Sequence, residues 1–362
     1  MDYKERVSRE IHSNAGRIIE LARQIGENPE LGFAEYEASA LLTQTLEQAG
    51  YTIEKPLAGL ETAFRATLGV GKPNIALLCE YDALPGIGHG CGHNLIGAAS
   101  VGAALGLARI LEEIGGQVTV IGAPGEETGG GKTILVEQGI FHGVDGAMMF
   151  HPSSENLLMS TTNALDAYEF VFIGRPAHAA GSPEHGINAL DGVIQLFNGM
   201  NALREHLKDT VRIHGIITEG GQAPNIVPDR AVAQFYFRAP HRSELDAVTS
   251  KIFDVARGAA LMTGAEVSWR KFEHSNDNMI PNRMMAAAFG DNLEALGVTD
   301  IEEFQEGKGS SDMGNVSHVV PAIHPYLSIG QVLVGHTAEF AAACLSPAAF
   351  RTPGLAAEAL AH

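Results

Sequence analysis

Cysteine is scarce in this sequence. Cys79, Cys91 and Cys344, three in 362 residues, are too few and too scattered for a disulfide framework, which fits a reducing compartment. A cysteine with a task here acts as a thiolate or a metal ligand. Basic residues are in deficit too: 24 Lys and Arg face 43 Asp and Glu, a formal charge of -19. Such a chain repels phosphate backbones and anionic headgroups, so neither nucleic acid nor membrane is expected as a partner. No stretch approaches the ~20 consecutive apolar residues that a membrane span needs. The opening MDYKERVSREIHSN is charged and helical in pattern, without the apolar centre of a signal peptide. A soluble, cytoplasmic protein is expected.

What is present is apolar content enough for a large core, 45% of the residues, over a length that favours two domains. From Tyr3 to Ala49 apolar positions recur at helical spacing, and GENPELGFAEYE divides them into two expected helices. Val-, Ile- and Leu-rich runs follow at NIALLCEYDAL, QVTVIGAP and GAMMFH, separated by helical stretches. Strands apolar on both faces, alternating with helices, predict an α/β fold with a mostly parallel sheet sandwiched by helices. In such sheets ligands collect at the carboxyl ends of the strands.

After about Asn163 the pattern changes to β-α-β-β-α-β, the order of a ferredoxin-like layer. The expected organisation is a first domain over 1–163, an inserted domain over 164–273, and a return to the first domain over 274–362.

Fifteen histidines are many for this length, and several sit beside Gly, Pro or acidic residues instead of on apolar faces. GIGHGCGHNLIG, residues 86–97, places Cys91 two positions before His93 in a glycine-rich turn. Thiolate and imidazole suit a borderline-soft divalent metal such as zinc. A buried structural cysteine and a thiolate–imidazolium nucleophile are the other two readings of that pair. In APGEETGGGK, Glu126 and Glu127 are adjacent after a buried strand and cannot share one direction. One carboxylate can ligate a metal while the other takes a proton from water and returns it to the leaving group. A solvated acidic turn at a helix start is the alternative. GEETGGGKT nearly echoes a phosphate loop, with one residue too many and two glutamates facing the phosphates.

His151 is expected to end an apolar strand that Pro152 stops, and His336 to follow another. Cys91, His93, Glu127, His151 and His336, with Glu126 to spare, match two co-catalytic metals ~3.5–4 Å apart better than one structural zinc.

The segments NPELGFAEYEASALL, EYDALPGIGHGCGHN, PGEETGGGK, FHPSS, RPAHAAGSPEHGINALD, GGQAPNIVPD and HTAEF occur in this order over nearly the whole chain. Together they resemble the aminoacylase and glutamate-carboxypeptidase amidohydrolases, the twentieth metallopeptidase family of clan MH. Within it they are most similar to the auxin-conjugate, aminobenzoyl-glutamate and Xaa-Arg dipeptidase-like branch. The resemblance implies a di-metal catalytic domain with an inserted, dimerising lid, so a homodimer, that hydrolyses the amide of an N-acyl amino acid or dipeptide. It implies two divalent ions per subunit, zinc or manganese, with Cys91 between them and His93, Glu127, His151 and His336 completing the two sites. By the same resemblance Glu126 is the general base and His178 of the lid stabilises the oxyanion in the partner subunit's site. Asn225 and Arg238 then hold the substrate's amide and carboxylate.

Departures accompany the resemblance. Where many members of the wider family carry an H-x-D pattern, this chain has CEYDALP, and Asn94 stands where relatives place Asp after the C-x-H pair. His89, Asp312, His318 and His324 are further candidates for substrate contacts, none of them as a metal ligand. Hydrolytic deamination of a small aromatic or heterocyclic amine, and a non-catalytic metal-binding protein, are the alternative functions. The zinc deaminase pattern H-x-E with P-C-x-x-C is absent.

Overall fold

The apolar runs of the first domain become strands Asn74–Cys79, Gly116–Gly122 and Gly146–Met148. The computed structural model describes residues 2–307 and 309–362. These three strands run parallel, Gly146–Met148 also pairs in parallel with Ala322–Ile323, and Phe64–Val70 and Thr52–Glu54 extend the other edge antiparallel. Leu77, Leu78, Val120 and Ile121 are fully buried, as expected of a sheet covered on both faces.

Helix His93–Ala108 is buried on almost every side, and its sequence explains this: HNLIGAASVGAALGLA carries no charged residue after His93 to define a wet face. It packs against Thr352–Ala361, Ala15–Glu27 and Tyr3–Ser13.

The opening stretch forms three helices, Tyr3–Ser13, Ala15–Glu27 and Tyr36–Gln48, where two were expected. Asn14 makes the extra break. Its side chain donates to the Glu10 carbonyl at 2.9 Å, and its backbone leaves helical geometry to cap the first helix. That local competition with the helix ladder is characteristic of Asn and is invisible to apolar periodicity.

The chain forms two compact units, the second running from Thr162 to Asn278. It contains the expected β-α-β-β-α-β order: strands Ala164–Ile173, Arg212–Glu219, Arg230–Ala239 and Glu266–Lys271 with helices Ala189–Arg204 and Arg242–Thr263. Its four strands are all antiparallel. Residues 276–278 belong here because Asn276 bridges to Leu165 and Arg242 bonds Asp277 and Asn278.

In the first unit a small sheet joins Glu302–Gln305, Leu157–Ser160, Tyr326–Ser328 and His151–Ser153. It corrects one expectation: His151 does not end the apolar strand, which stops at Met148, but opens a new one that contains Pro152. Proline is tolerated there because the strand is an edge, paired on one side only, with Tyr326–Ser328. His336 does not follow a strand either. It stands in an irregular loop with φ 62, held by its backbone N–H on the Gly90 carbonyl at 2.8 Å. Among the described residues no helix is long and apolar enough to cross a membrane.

Candidate active site

The site is built where parallel strands end. After Cys79 the chain continues as Glu80, Tyr81 and Asp82, all buried, then turns through glycines to Cys91. Gly92 sits at φ 76, and a Cβ there would fall 2.5 Å from Pro152 Cγ. Only glycine allows both that backbone and that approach, so Cys91 is pressed toward the strand that carries His151. His93 follows as the first residue of the buried helix. From the neighbouring strand, Gly125 at φ 65 opens the short helix Glu126–Gly129.

The structure brings five of the candidate residues together. Cys91 Sγ lies 3.5 Å from His151 Nε2 and 3.4 Å from His336 Nε2. Glu127 Oε1 is 3.5 Å from His336 Nε2 and 4.0 Å from His93 Nε2. The donors fall into two sets that share the thiol, Cys91 with His93 and His151, and Cys91 with Glu127 and His336; within each set all donor atoms lie within 4.8 Å of one another. Glu126 borders the same centre: its carboxylate groups with His93 and Glu127 and also with Glu80 and Asp312.

Electrostatics follow from burial and crowding. Burial lowers the basicity of His93, but Asp82 and Glu80 outweigh it and hold the ring protonated well above the usual imidazole range. Burial pushes the Cys91 thiol up, so it ionises only with help from a cation. Glu126 is raised well above the ordinary carboxylate range, first by burial and then by the charges of Glu80 and Asp312. His151 is pushed down to about 4 by burial and is neutral, with its Nδ1 against the Pro152 carbonyl at 2.8 Å and Nε2 turned to Cys91.

These residues fit divalent cations. His93 Nε2 and Glu127 Oε1 are buried without a hydrogen-bond partner, an expensive condition that a cation taking the place of the His93 Nε2 proton would relieve. A thiol, imidazoles and a carboxylate are donors for zinc and, through nitrogen and oxygen, for manganese. Glu80, Asp82, Glu126, Glu127 and Asp312 crowd one region against the ammonium of Lys132.

Three residues around this centre received no role from sequence alone. Asp82 accepts from His93 Nδ1 at 2.9 Å and from the Glu127 backbone N–H at 3.0 Å. The carboxylate oriented on His93 is therefore Asp82, while Asn94 spends its amide on the Ala22 carbonyl at 3.0 Å. Alternation after the strand was the available signal, since Glu80 and Asp82 leave it on the same side. Lys132 is fully buried and bridges Glu80 and Asp312, each at 2.5 Å. It stays charged because Asp312 and Glu80 outweigh a burial that would neutralise it.

Asp312, expected as a substrate contact, instead spends both oxygens on the Lys132 ammonium and backbone N–H. His324 is buried edge-on to His151, ring centroids 5.4 Å apart, and His89 is buried and pushed down to about 4. His318 caps the short helix Met313–Ser317.

The remaining candidates lie in the second unit. His178 and Asn225 are neighbours there: His178 bridges to Ile226, and Ala179 N–H donates to the Asn225 carbonyl at 3.0 Å. His178 Nδ1 accepts from the backbone N–H of Ala180 at 3.2 Å and of Gly181 at 3.0 Å. In the neutral ring the proton therefore sits on Nε2, facing outward as a donor. Arg238 lies within strand Arg230–Ala239, its guanidinium 5.9 Å from the centre of the Tyr236 ring.

Comparison with known proteins agrees with this architecture. The peptidase dimerisation domain of the M20 family matches residues 162–261. The chain is 41% identical to Xaa-Arg dipeptidase of Mus musculus, covering 96% of this chain and 84% of that protein. It is 37% identical to a p-aminobenzoyl-glutamate hydrolase chain of Escherichia coli (strain K12), over 80% of this chain and 64% of that one. Among solved structures, an aminobenzoyl-glutamate utilization protein from Klebsiella pneumoniae superposes with TM-score 0.77 at 19% identity, covering 97% and 95% of the two chains. A dinuclear metal binding peptidase of the M20 family from Bacillus subtilis superposes with TM-score 0.70 at 21% identity, covering 96% and 98%.

Similarity extending over nearly the whole chain places the protein among the metal-dependent hydrolases of amide bonds. It belongs to the M20 peptidase family.

Proposed function

We propose that this chain hydrolyses the amide of an N-acyl or N-aminoacyl amino acid with two divalent cations, zinc or manganese, held by Cys91, His93, Glu127, His151 and His336. The observation that carries the reading is the pair of donor sets sharing the Cys91 thiol, with Glu126 beside them. Bound divalent cations supply Lewis acidity and a water that ionises near neutral pH.

The chain's own residues supply the rest. Glu126 takes the proton from the attacking water and delivers it to the departing amine. Burial and the charges of Glu80 and Asp312 raise its affinity for a proton, and the positive charge of bound cations would bring it back down so that it starts as the carboxylate a base needs. By the resemblance, His178 offers its Nε2–H to the oxyanion in the partner subunit's site, Asn225 holds the substrate amide, and Arg238 grips the carboxylate as a bidentate fork. The domain spanning 162–261 joins two copies as a homodimer, and the enzyme works in the cytoplasm.

The test is a screen of N-acyl amino acids and dipeptides with zinc, manganese or cobalt, reading free amino acid. It includes Xaa-Arg dipeptides and p-aminobenzoyl-glutamate, named for the two relatives above. Glu126→Gln is expected to keep its metals and lose ~10²–10⁴-fold in kcat, the scale of a general base. Full activity in that variant would sink the assignment. Ammonia released without a free amino acid would mean deamination. About one firmly held zinc per chain and no hydrolysis would mean a non-catalytic metal-binding protein.

A further inference from the structure

Residues 28–35, NPELGFAE, lie between the second and third helices, away from any metal donor in sequence, yet they converge on the turn that carries Glu126 and Glu127. Glu35 is fully buried, and its Oε1 accepts the Gly125 backbone N–H at 2.8 Å while Oε2 accepts from Thr62 Oγ1 at 2.9 Å. Phe33 adopts φ 65, unfavourable for a residue with a side chain. The result is that its ring lies against the 125–129 turn: a Cβ on Gly125 or Gly129 would fall 2.8 or 2.3 Å from it. Gly32 packs so closely that a Cβ there would sit 2.1 Å from Thr128 Oγ1.

The same segment grips the other strand end. The Glu30 carbonyl accepts the Ala83 N–H at 2.8 Å, one residue beyond Asp82. The Glu30 carboxylate meanwhile takes the N–H groups of Glu37 and Ala38 at 3.0 and 2.9 Å, anchoring the segment to the helix that follows. Two buried carboxylates thus take alternate N–H groups of one turn, Glu35 at Gly125 and Asp82 at Glu127. A helix start leaves such donors unpaired, and here their partners hold the backbone on either side of residue 126. A backbone conformation held against its own preference is worth the cost where placement of a neighbour matters.

We propose that Glu35 is a positioning residue for the hydrolysis, setting the aim of Glu126 through Gly125 without touching substrate. The proposal rests on the reading of Glu126 as the base.

Two conservative variants separate reach from charge. Glu35→Gln keeps an acceptor at the same distance and loses the charge; Glu35→Asp keeps the charge and is one methylene short of Gly125. A displacement on the order of 1 Å costs up to ~100-fold in rate, so Glu35→Asp is expected to lose ~30–100-fold in kcat. Its KM and bound metal should stay within about threefold of the unsubstituted enzyme, and Glu35→Gln should stay within about threefold in kcat. Hydrogen exchange of the peptide spanning 123–131 should quicken in the Asp variant and not in the Gln variant. A merely structural role would lower stability and leave kcat per folded molecule unchanged.

The proposal is overturned if both variants keep full kcat, or if Glu35→Gln is as impaired as Glu35→Asp. Should Glu35→Asp not fold, a kcat loss above ~10-fold or quickened exchange in folded Glu35→Gln overturns it equally. Glu126→Gln is assayed in parallel. Full turnover there removes the base assignment, while the exchange pattern still reports whether Glu35 holds the turn.

Discussion

Asp82 and His93 form a buried carboxylate–imidazole pair at 2.9 Å, and the second Asp82 oxygen holds the Glu127 backbone at 3.0 Å. One side chain therefore orients donors that come from two different strand ends. With Nδ1 committed to Asp82, the unpartnered His93 Nε2 is the atom left to face a cation.

Asp82→Asn is accordingly expected to weaken metal binding ~10–100-fold, since an amide has one acceptor where two are needed. Competition against a chelating dye with the apoprotein reads this directly. Unchanged affinity would show that the pair does not organise the centre.

Metal binding should release protons. The Cys91 thiol and the His93 ring both hold their protons above their ordinary ranges, and a cation can bind them only after those protons leave. Affinity therefore rises with pH and falls as the solution is acidified. Isothermal titration in buffers of different ionisation enthalpy counts the protons released. Thiol alkylation gives a second check: metal-loaded enzyme should be inactivated more slowly than the apo form, and equal rates would mean that metals do not shield Cys91.

Lys132 is a structural charge with a large expected effect. Lys132→Met leaves Glu80 and Asp312 buried without their cation, and removing one partner of a buried ion pair typically costs ~3–5 kcal/mol. Denaturant unfolding of the metal-free protein measures the loss. Adding Asp312→Asn to Lys132→Met should recover part of it, because one uncompensated charge disappears; no recovery would contradict the ion-pair account.

Glu35 makes stability depend on pH in a stated direction. Burial raises its carboxyl from 4.5 to about 7. A folded-state pKa above the unfolded one means that its contribution is fully present below about 4.5 and is lost as pH rises to about 7. The slope is at most ~1.4 kcal/mol per pH unit for one proton. Glu35→Gln removes the titration, so its stability should vary less between pH 5 and 7 than that of the unsubstituted protein. Parallel curves for the two proteins would show that Glu35 does not titrate there.

Sequence legibility divides along physical lines. The strands Asn74–Cys79 and Gly116–Gly122 were readable because a parallel strand buried on both faces must be an unbroken apolar run. The second unit was readable because alternation of strand and helix periods reports its order directly. Asn14 was not, since its break depends on a side chain competing with the backbone for a hydrogen bond. His151 and His336 were singled out as donors, but their local settings were misjudged. One opens an edge strand around a proline, and the other stands in a left-handed loop conformation, neither of which apolar patterning encodes.

By itself, then, the sequence determined the α/β class, the inserted layer and the residue types available for metal chemistry, because periodicity and donor chemistry are local properties. Only the tertiary structure decided which donors share the Cys91 thiol, that Asp82 orients His93 and that Lys132 is held between Glu80 and Asp312. It alone joined Glu35 to Gly125. Each of these pairings is a hydrogen bond or ion pair between segments distant in the chain, and its geometry exists only once the strand ends have been brought together.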